Sequence, residues 1–203
     1  MKIQTKAKDI LFPVPASLVV SGVGNDSNII TVAWIGIVGS NPPALGISLH
    51  KNRYSLSLIK QTQEFTVNIP RQSDFKKVDY CGLISGKTVN KFNDTGFSRI
   101  NGYKVNVPII KECPVNIECR VIQEVDLFDW TLVIGEILEA NIDDDCFDDD
   151  GKVLVGKIDP LVYIPTIREY WSIGQKLADS FKAGKDYKAI KGEKAIYGKL
   201  EKL

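Results

Sequence analysis

The chain has 203 residues, of which 44% are hydrophobic and 25% charged, a mixture that excludes a disordered or membrane-embedded polypeptide and suits one globular domain with a sizeable core. Lys and Arg number 26 against 25 Asp and Glu, a net charge of +1, so no global field favours a nucleic acid or an anionic membrane surface as partner. Early lysines and apolar residues open the chain, but Asp9, Pro13 and Pro15 interrupt any signal-peptide core, and no stretch approaches the ~20 apolar residues of a spanning helix. The expected location is the cytoplasm.

In chain order, Ser17–Gly22 reads as a strand closed by a turn of Gly24, Asn25, Asp26 and Ser27. Asn28–Trp34, rich in β-branched residues, is a second strand, and Asn41-Pro42-Pro43 turns the chain into a third at Ala44–Leu49, so that the three form a meander. The period then changes. Tyr54, Leu56, Leu58 and Ile59 carry helical spacing, with Asn52 as N-cap and an end near Thr62. Glu64–Ile69 is a strand stopped by Pro70, and a second helix is expected from Asp74 to about Cys81. From Val115 the alternation is clean: Val115, Ile117, Cys119 and Val121 point one way, Asn116, Glu118 and Arg120 the other. After a turn at residues 126–129, Trp130–Leu138 is apolar on both faces, as befits a central strand of a closed or covered sheet. Leu161–Ile164 is a short last strand, and a helix is expected around Arg168–Lys182. Short strands, tight turns and two or three peripheral helices point to a mainly β barrel or sandwich. Residues 1–185 form its one domain. Residues 186–203 are a lysine-rich arm, either loosely packed or part of a subunit contact.

Several familiar patterns fail on inspection. Cys81–Thr88 ends like a phosphate-binding loop, but Cys81 stands where its first glycine is required. The acidic run Asp143–Asp150 misses the glycine and glutamate positions of a calcium loop and reads as a solvated hairpin loop. One histidine, His50, leaves little for a zinc site or a Ser-His-Asp arrangement, and no metal is expected. The cysteines, Cys81, Cys113, Cys119 and Cys146, include no CxxC pair and read as free thiols in a reduced core. No GxGxxG follows a strand, so a nicotinamide can dock only transiently.

The stretch from Asn28 to Ser55 remains. Asn28, Thr31 and Trp34 set polar groups beside an aromatic plane. Ser48-Leu49-His50-Lys51-Asn52-Arg53-Tyr54-Ser55 leads from a strand end into a helix start, where free N–H groups, the helix dipole, basic side chains and the Ser55 hydroxyl suit a phosphate. By its residues alone, this reads first as a capped helix with ordinary basic neighbours.

The segments PVPASLVVSG (13–22), NIITVAWIGIVGSNPPALGISLHKNRYSLSLI (28–59), EFTVNIP (64–70), SGKTVNKF (85–92) and DWTLVIGEI (129–137) resemble, in order, the flavin reductase-like family of FMN-binding split barrels, most of all its flavoredoxin-type branch. The resemblance implies a homodimer of Greek-key antiparallel barrels holding FMN without a covalent link. It places Asn28, Thr31 and Trp34 along the isoalloxazine ring and ribityl chain, Ser48 and Leu49 on the next strand, Arg53 and Ser55 at the phosphate with His50 assisting, and Lys91 as a basic residue reaching the cofactor. Trp130 stands where the branch commonly has histidine and cannot titrate near neutrality; Tyr163, often phenylalanine, keeps an aromatic wall. The implied activity is an NAD(P)H-dependent flavin reductase, in which NADH or NADPH passes hydride to FMN and the electrons go on to a small-molecule or protein acceptor. Position and electrostatics suffice for that step, so no catalytic side chain is assigned. The alternative is a flavoredoxin-type electron carrier reduced by a partner protein. A third reading, a split barrel that has lost flavin, would lack Asn28, Arg53 and Ser55, and all are present.

Overall fold

A computed structural model describes residues 1–6 and 8–184. Met1–Ile173 form one compact unit; Gly174–Gly184 belong to a second unit, in which residues 180–184 form turns. The proposed C-terminal arm lies outside the described residues.

The strands are β1 (Val14–Pro15), β2 (Ser17–Ser21), β3 (Asn28–Val32), β4 (Ile35–Ser40), β5 (Pro43–His50), β6 (Glu64–Ile69), β7 (Arg99–Ile100), β8 (Ile109–Ile110), β9 (Val115–Leu127), β10 (Trp130–Ile142), β11 (Leu161–Ile164) and β12 (Glu169–Ser172). Among the described residues four short α-helices intervene: α1 (Tyr54–Thr62), α2 (Phe75–Leu83), α3 (Lys91–Thr95) and α4 (Val155–Ile158). Among the described residues no helix is long and apolar enough to cross a membrane.

Seven strands form an antiparallel sheet in the order β3-β2-β6-β9-β10-β5-β4, and β1-β11-β12 make a smaller one. Both ends of the large sheet meet inside one buried cluster: Ile30 and Val32 of β3 pack with Leu45, Ile47 and Leu49 of β5, and with Phe65, Val67, Cys119 and Val133 between them. A flat sheet cannot bring its first and sixth strands together, so the sheet is curled into a barrel around that core. Its coiling is served by two register shifts between β9 and β10, near Gly135 and Ile137. At Gly135 an added Cβ would lie 2.7 Å from the Phe65 ring, so the core residue fits only against a bare backbone. A second cluster covers the outer face of β2 and β3 with Val78 and Cys81 of α2, Phe92 of α3, and Phe97, Val107 and Ile110. All four cysteines are free and buried. Burial pushes the Cys81 thiol up to about 11 and the Cys119 thiol to about 12, so both stay protonated.

Several local expectations change. The expected meander is interrupted by β4, whose two glycines obscured it; the turn at Asn41–Pro43 joins β4 to β5, while β3 pairs with β2 at the far end of the sheet. Arg53, not Asn52, is the N-cap of α1, with no side-chain cap, and the Asn52 N–H turns back toward His50 Nδ1 at 3.3 Å. No helix spans Arg168–Lys182: residues 169–172 pair with β11, because Arg168, at φ 57°, reverses the chain into a hairpin instead of a helical turn. β9 and β10 are longer than expected, at 13 residues each, and α3 was not anticipated.

The polar face of β9 is also covered. Thr66 and Asn68 of β6 lie opposite Glu118 and Asn116, and all four are buried. This polar ladder pins the loop before β9. Thr66 Oγ1 donates to the Pro108 carbonyl at 2.8 Å, and Asn68 Oδ1 accepts from the Ile110 N–H at 2.9 Å. Glu118, fully buried, accepts from the backbone N–H groups of Tyr103, Lys104 and Val105 at 3.0, 2.7 and 3.2 Å, and from Asn141 Nδ2 at 3.2 Å. Glu118→Ala orphans the buried Val105 N–H, at about 1–3 kcal/mol, and removes the acceptor of the less buried donors of Tyr103, Lys104 and Asn141, so an overall loss of about 2 kcal/mol or more is expected. Urea unfolding measures it; a midpoint equal to that of the parent would contradict this account of the loop.

Candidate functional site

Curling the sheet does not zip it shut. β3 pairs only with β2, and near the gap a single backbone bond, from Ser48 N–H to the Trp34 carbonyl at 2.9 Å, ties β5 to the β3–β4 connection. A cavity of about 230 Å³ opens there. Thr31 and Trp34 line it from the β3 side, Ser48, Leu49 and His50 from β5, and Trp130 from β10, with Tyr163 on the small sheet and Arg53 at the start of α1. The Trp34 and Trp130 rings are stacked, with centroids 6.1 Å apart and planes 25° apart, and His50 stands edge-on to Trp130 at 5.5 Å. The register explains the trio: Trp130 is the cross-strand partner of His50, and Trp34 follows the strand end on the other side of β5.

A second cavity, of about 200 Å³, shares Ile30 and Arg53 with the first. It is lined by Asn28, Asn52, Arg53, Tyr54 and Ser55, by Lys91, and by Ile84, Ser85 and Gly86. Asn28 Nδ2 donates to Ser55 Oγ at 2.8 Å, and both side chains are buried. The uncapped start of α1 contributes its free N–H groups and the positive end of its dipole. Arg53 Nη1 reaches the Gly82 carbonyl at 3.5 Å, steadying the guanidinium between the two cavities. Lys91 is 3% exposed; its Nζ donates to the carbonyls of Ile29 and Cys81 at 2.8 and 2.7 Å, leaving one of its three N–H bonds without a protein acceptor. Gly86 is a requirement of the wall: a Cβ there would stand 1.9 Å from Asn28 Oδ1.

The structure thus brings all eleven residues singled out in the sequence, Asn28, Thr31, Trp34, Ser48, Leu49, His50, Arg53, Ser55, Lys91, Trp130 and Tyr163, to the walls of two adjoining chambers. Their side chains are not equally available. The Thr31 hydroxyl is committed to the Val78 carbonyl, so that residue offers the chamber mainly its apolar and backbone atoms. The sequence missed Asp79, Gly82 and Leu83 of α2, Tyr170 of β12, and Ile84, Ser85 and Gly86. The segment dismissed as a failed phosphate loop therefore lines the polar chamber after all, and its small residues, Gly82, Ser85 and Gly86, were the available signal. Among the described residues no cluster of His, Cys, Asp and Glu could hold a metal ion.

One chamber is aromatic and the other is cationic and rich in N–H and hydroxyl donors. Together they suit a ligand that joins a planar conjugated ring to an anionic group. Residues 10–172 match the model of the flavin reductase like domain. Among solved structures, flavoredoxin of Desulfovibrio vulgaris (Miyazaki F) is 35% identical, with a TM-score of 0.86 over 91% of this chain and 100% of that one. Flavoredoxin from Methanosarcina acetivorans is 32% identical, with a TM-score of 0.84 over 91% and 98% of the two chains. An uncharacterized protein of Archaeoglobus fulgidus is 39% identical over 132 residues, 65% of this chain and 74% of that one.

Burial lowers the Lys91 ammonium from 10.5 to about 8, with the Arg53 charge acting in the same direction. Between those values the unfolded chain binds a proton at this position that the folded one has given up, so the Lys91 contribution to stability rises with pH from about 8 to 10.5. Urea unfolding across this range should show a stability gain in the parent that Lys91→Met lacks; a parent–variant difference constant with pH would refute it. By its fold and its matched sequence, the chain is a member of the flavin reductase-like family of split-barrel proteins.

Proposed function

We propose that this protein is a flavoredoxin-type electron carrier that holds FMN non-covalently in the two joined chambers. The observation that carries the reading is the division of the site: stacked indoles and apolar strand residues on one side, and Arg53, Ser55, Lys91 and the α1 N-terminus on the other. An isoalloxazine ring needs the first environment and a phosphate the second. The donor set fits the cofactor, because a dianionic group would find two cations, a hydroxyl and free helix N–H groups, without a carboxylate among the described residues lining that chamber. FMN, when bound, supplies one- and two-electron transfer, which the side chains of this site do not.

The chain's own work is then to anchor and orient. Arg53, at the junction, fixes where ring ends and phosphate begins. Asn28 holds Ser55 in place for the phosphate. Trp34, Leu49 and Trp130 exclude water from the ring side, and the gap between β3 and β5 leaves an approach to it.

Sequence reasoning put an NAD(P)H-dependent reductase first and the carrier second. The order is reversed here because the flavoredoxins resemble this chain over nearly its whole described length at 35% and 32% identity. Reductase activity with NADH or NADPH is the second reading, supported by the match of residues 10–172 to the flavin reductase like domain.

An absorbance spectrum of the purified protein, before and after incubation with FMN, tests the reading. Flavin bands that persist with anaerobic NADH and NADPH and bleach with dithionite support the carrier. Prompt bleaching by a nicotinamide favours the reductase, and no flavin uptake removes both. Arg53→Ala combined with Ser55→Ala should weaken FMN binding by several kcal/mol, since a hydrogen bond to a charged group contributes about 1.5–3 kcal/mol. Unchanged affinity in the folded double variant would overturn the phosphate placement.

A further inference from the structure

The aromatic chamber contains one charge that the reading above does not use. Among the described residues lining it, Asp79 is the only carboxylate, facing Arg53 and His50 as the basic groups of the same chamber. Asp79 sits on α2 one turn before Gly82 and Leu83, and all three line the chamber from the helix that packs against β3. Its carboxylate is held from outside the helix. Tyr170 of β12 donates its hydroxyl to Asp79 Oδ1 at 3.2 Å, across 91 positions of sequence. The Tyr170 ring is tilted against Tyr163 at 5.4 Å, so two aromatic walls of the small sheet fix the donor. Burial, with the Asp79 charge beside it, pushes the Tyr170 phenol above its ordinary range, which keeps it a proton donor to the carboxylate.

While the chamber is open Asp79 faces solvent, and water screens its charge. A ligand filling the chamber displaces that water and lowers the local dielectric, so the carboxylate acts on the ligand with much less screening. Reduction of a bound flavin by two electrons and one proton leaves one additional negative charge in the chamber. A fixed carboxylate on its wall opposes that charge.

We propose that Asp79, oriented by Tyr170, is a positioning residue that lowers the reduction potential of the flavin and makes it a stronger electron donor. The inference rests on FMN occupying the two chambers. It deepens that reading by naming the class of acceptor the protein serves: one of low potential, which a flavin without this charge would reduce less completely. The electrons come from an external reductant and the proton from solvent; no bond to the protein forms or breaks.

The test is the midpoint potential of the FMN-loaded protein, titrated anaerobically with dithionite against reference dyes. It is run for the parent, Asp79→Asn and Asp79→Glu. Asp79→Asn removes the charge at nearly constant shape. It should raise the preference for reduced over oxidised FMN by about ten-fold, a shift of about +30 mV for a two-electron couple. Asp79→Glu keeps the charge and should stay near the parent value. A packing role would move both variants alike, so equal shifts overturn the proposal, as does an unshifted Asp79→Asn. A parent chain that takes up no FMN overturns the functional reading itself, and this inference with it. Uptake of FMN with an unshifted Asp79→Asn overturns the inference alone.

Discussion

The site exists because the barrel closes by packing and not by hydrogen bonding. β3 and β5 share a buried core through Ile30, Val32, Ile47 and Leu49, yet among the described residues β3 pairs only with β2 and β5 only with β4 and β10. Apolar burial is non-directional and tolerates a gap; a strand ladder does not. The curl therefore draws the two strands together at their inward side chains, while beside the chamber the bond from the Ser48 N–H to the Trp34 carbonyl takes the place of a strand ladder. A full ladder between them would fill the chamber with backbone.

A gap in a sheet exposes strand edges, and this molecule covers them with groups serving a second purpose. On the β3 side the carbonyl of Ile29, a buried residue, accepts from Lys91, whose ammonium also binds the last turn of α2 through Cys81. One buried cation thus joins β3, α2 and α3 and brings positive charge to the polar chamber. Burying it is costly, as its lowered proton affinity records, and an anionic ligand would relieve part of that cost. The Glu118 anchor on the far side of the barrel has no such outlet. Its carboxylate is answered entirely by backbone N–H groups and Asn141, as expected of a group that serves folding alone.

Local chemistry made much of this legible before any coordinates. The β-branched run at residues 28–32, the helical spacing from Tyr54 to Ile59 and the unbroken apolar stretch after Trp130 each obey a single dominant period, and each folds as read. What escaped was set by partners far away in the chain. β4 carries two glycines and exposed Ile37 and Val38, so only its pairing with β5 makes it a strand. Residues 169–172 follow a left-handed turn at Arg168 and pair with β11, which no helical periodicity could announce. Alternation set Glu118 on the polar side of its strand but cannot tell a sheet face covered by a loop from one facing water. Resemblance to a family supplied the eleven site residues, whereas Asp79 and Tyr170, on a helix and a hairpin 91 positions apart, meet only in three dimensions.

The two chambers are built by different physics, and this separates what can vary in them. The polar chamber depends on tight, mutually constraining contacts. Asn28 is held between Ser55 and Gly86 so closely that one added methyl group would displace it, and Lys91 has two fixed carbonyl partners. Substitution there disturbs several elements at once. The aromatic chamber is walled by side chains that stop at its rim, with Trp34 and Trp130 still 44% and 38% exposed. A change at Trp130 alters one stacking contact with Trp34 and one edge contact with His50, leaving the strand register intact. A scaffold arranged in this way tolerates change on the aromatic face more readily than at the polar anchor. The indole of Trp130 presents a broad aromatic surface that cannot itself take up a proton near neutrality, so what it adds to this face beside His50 is stacking and shape.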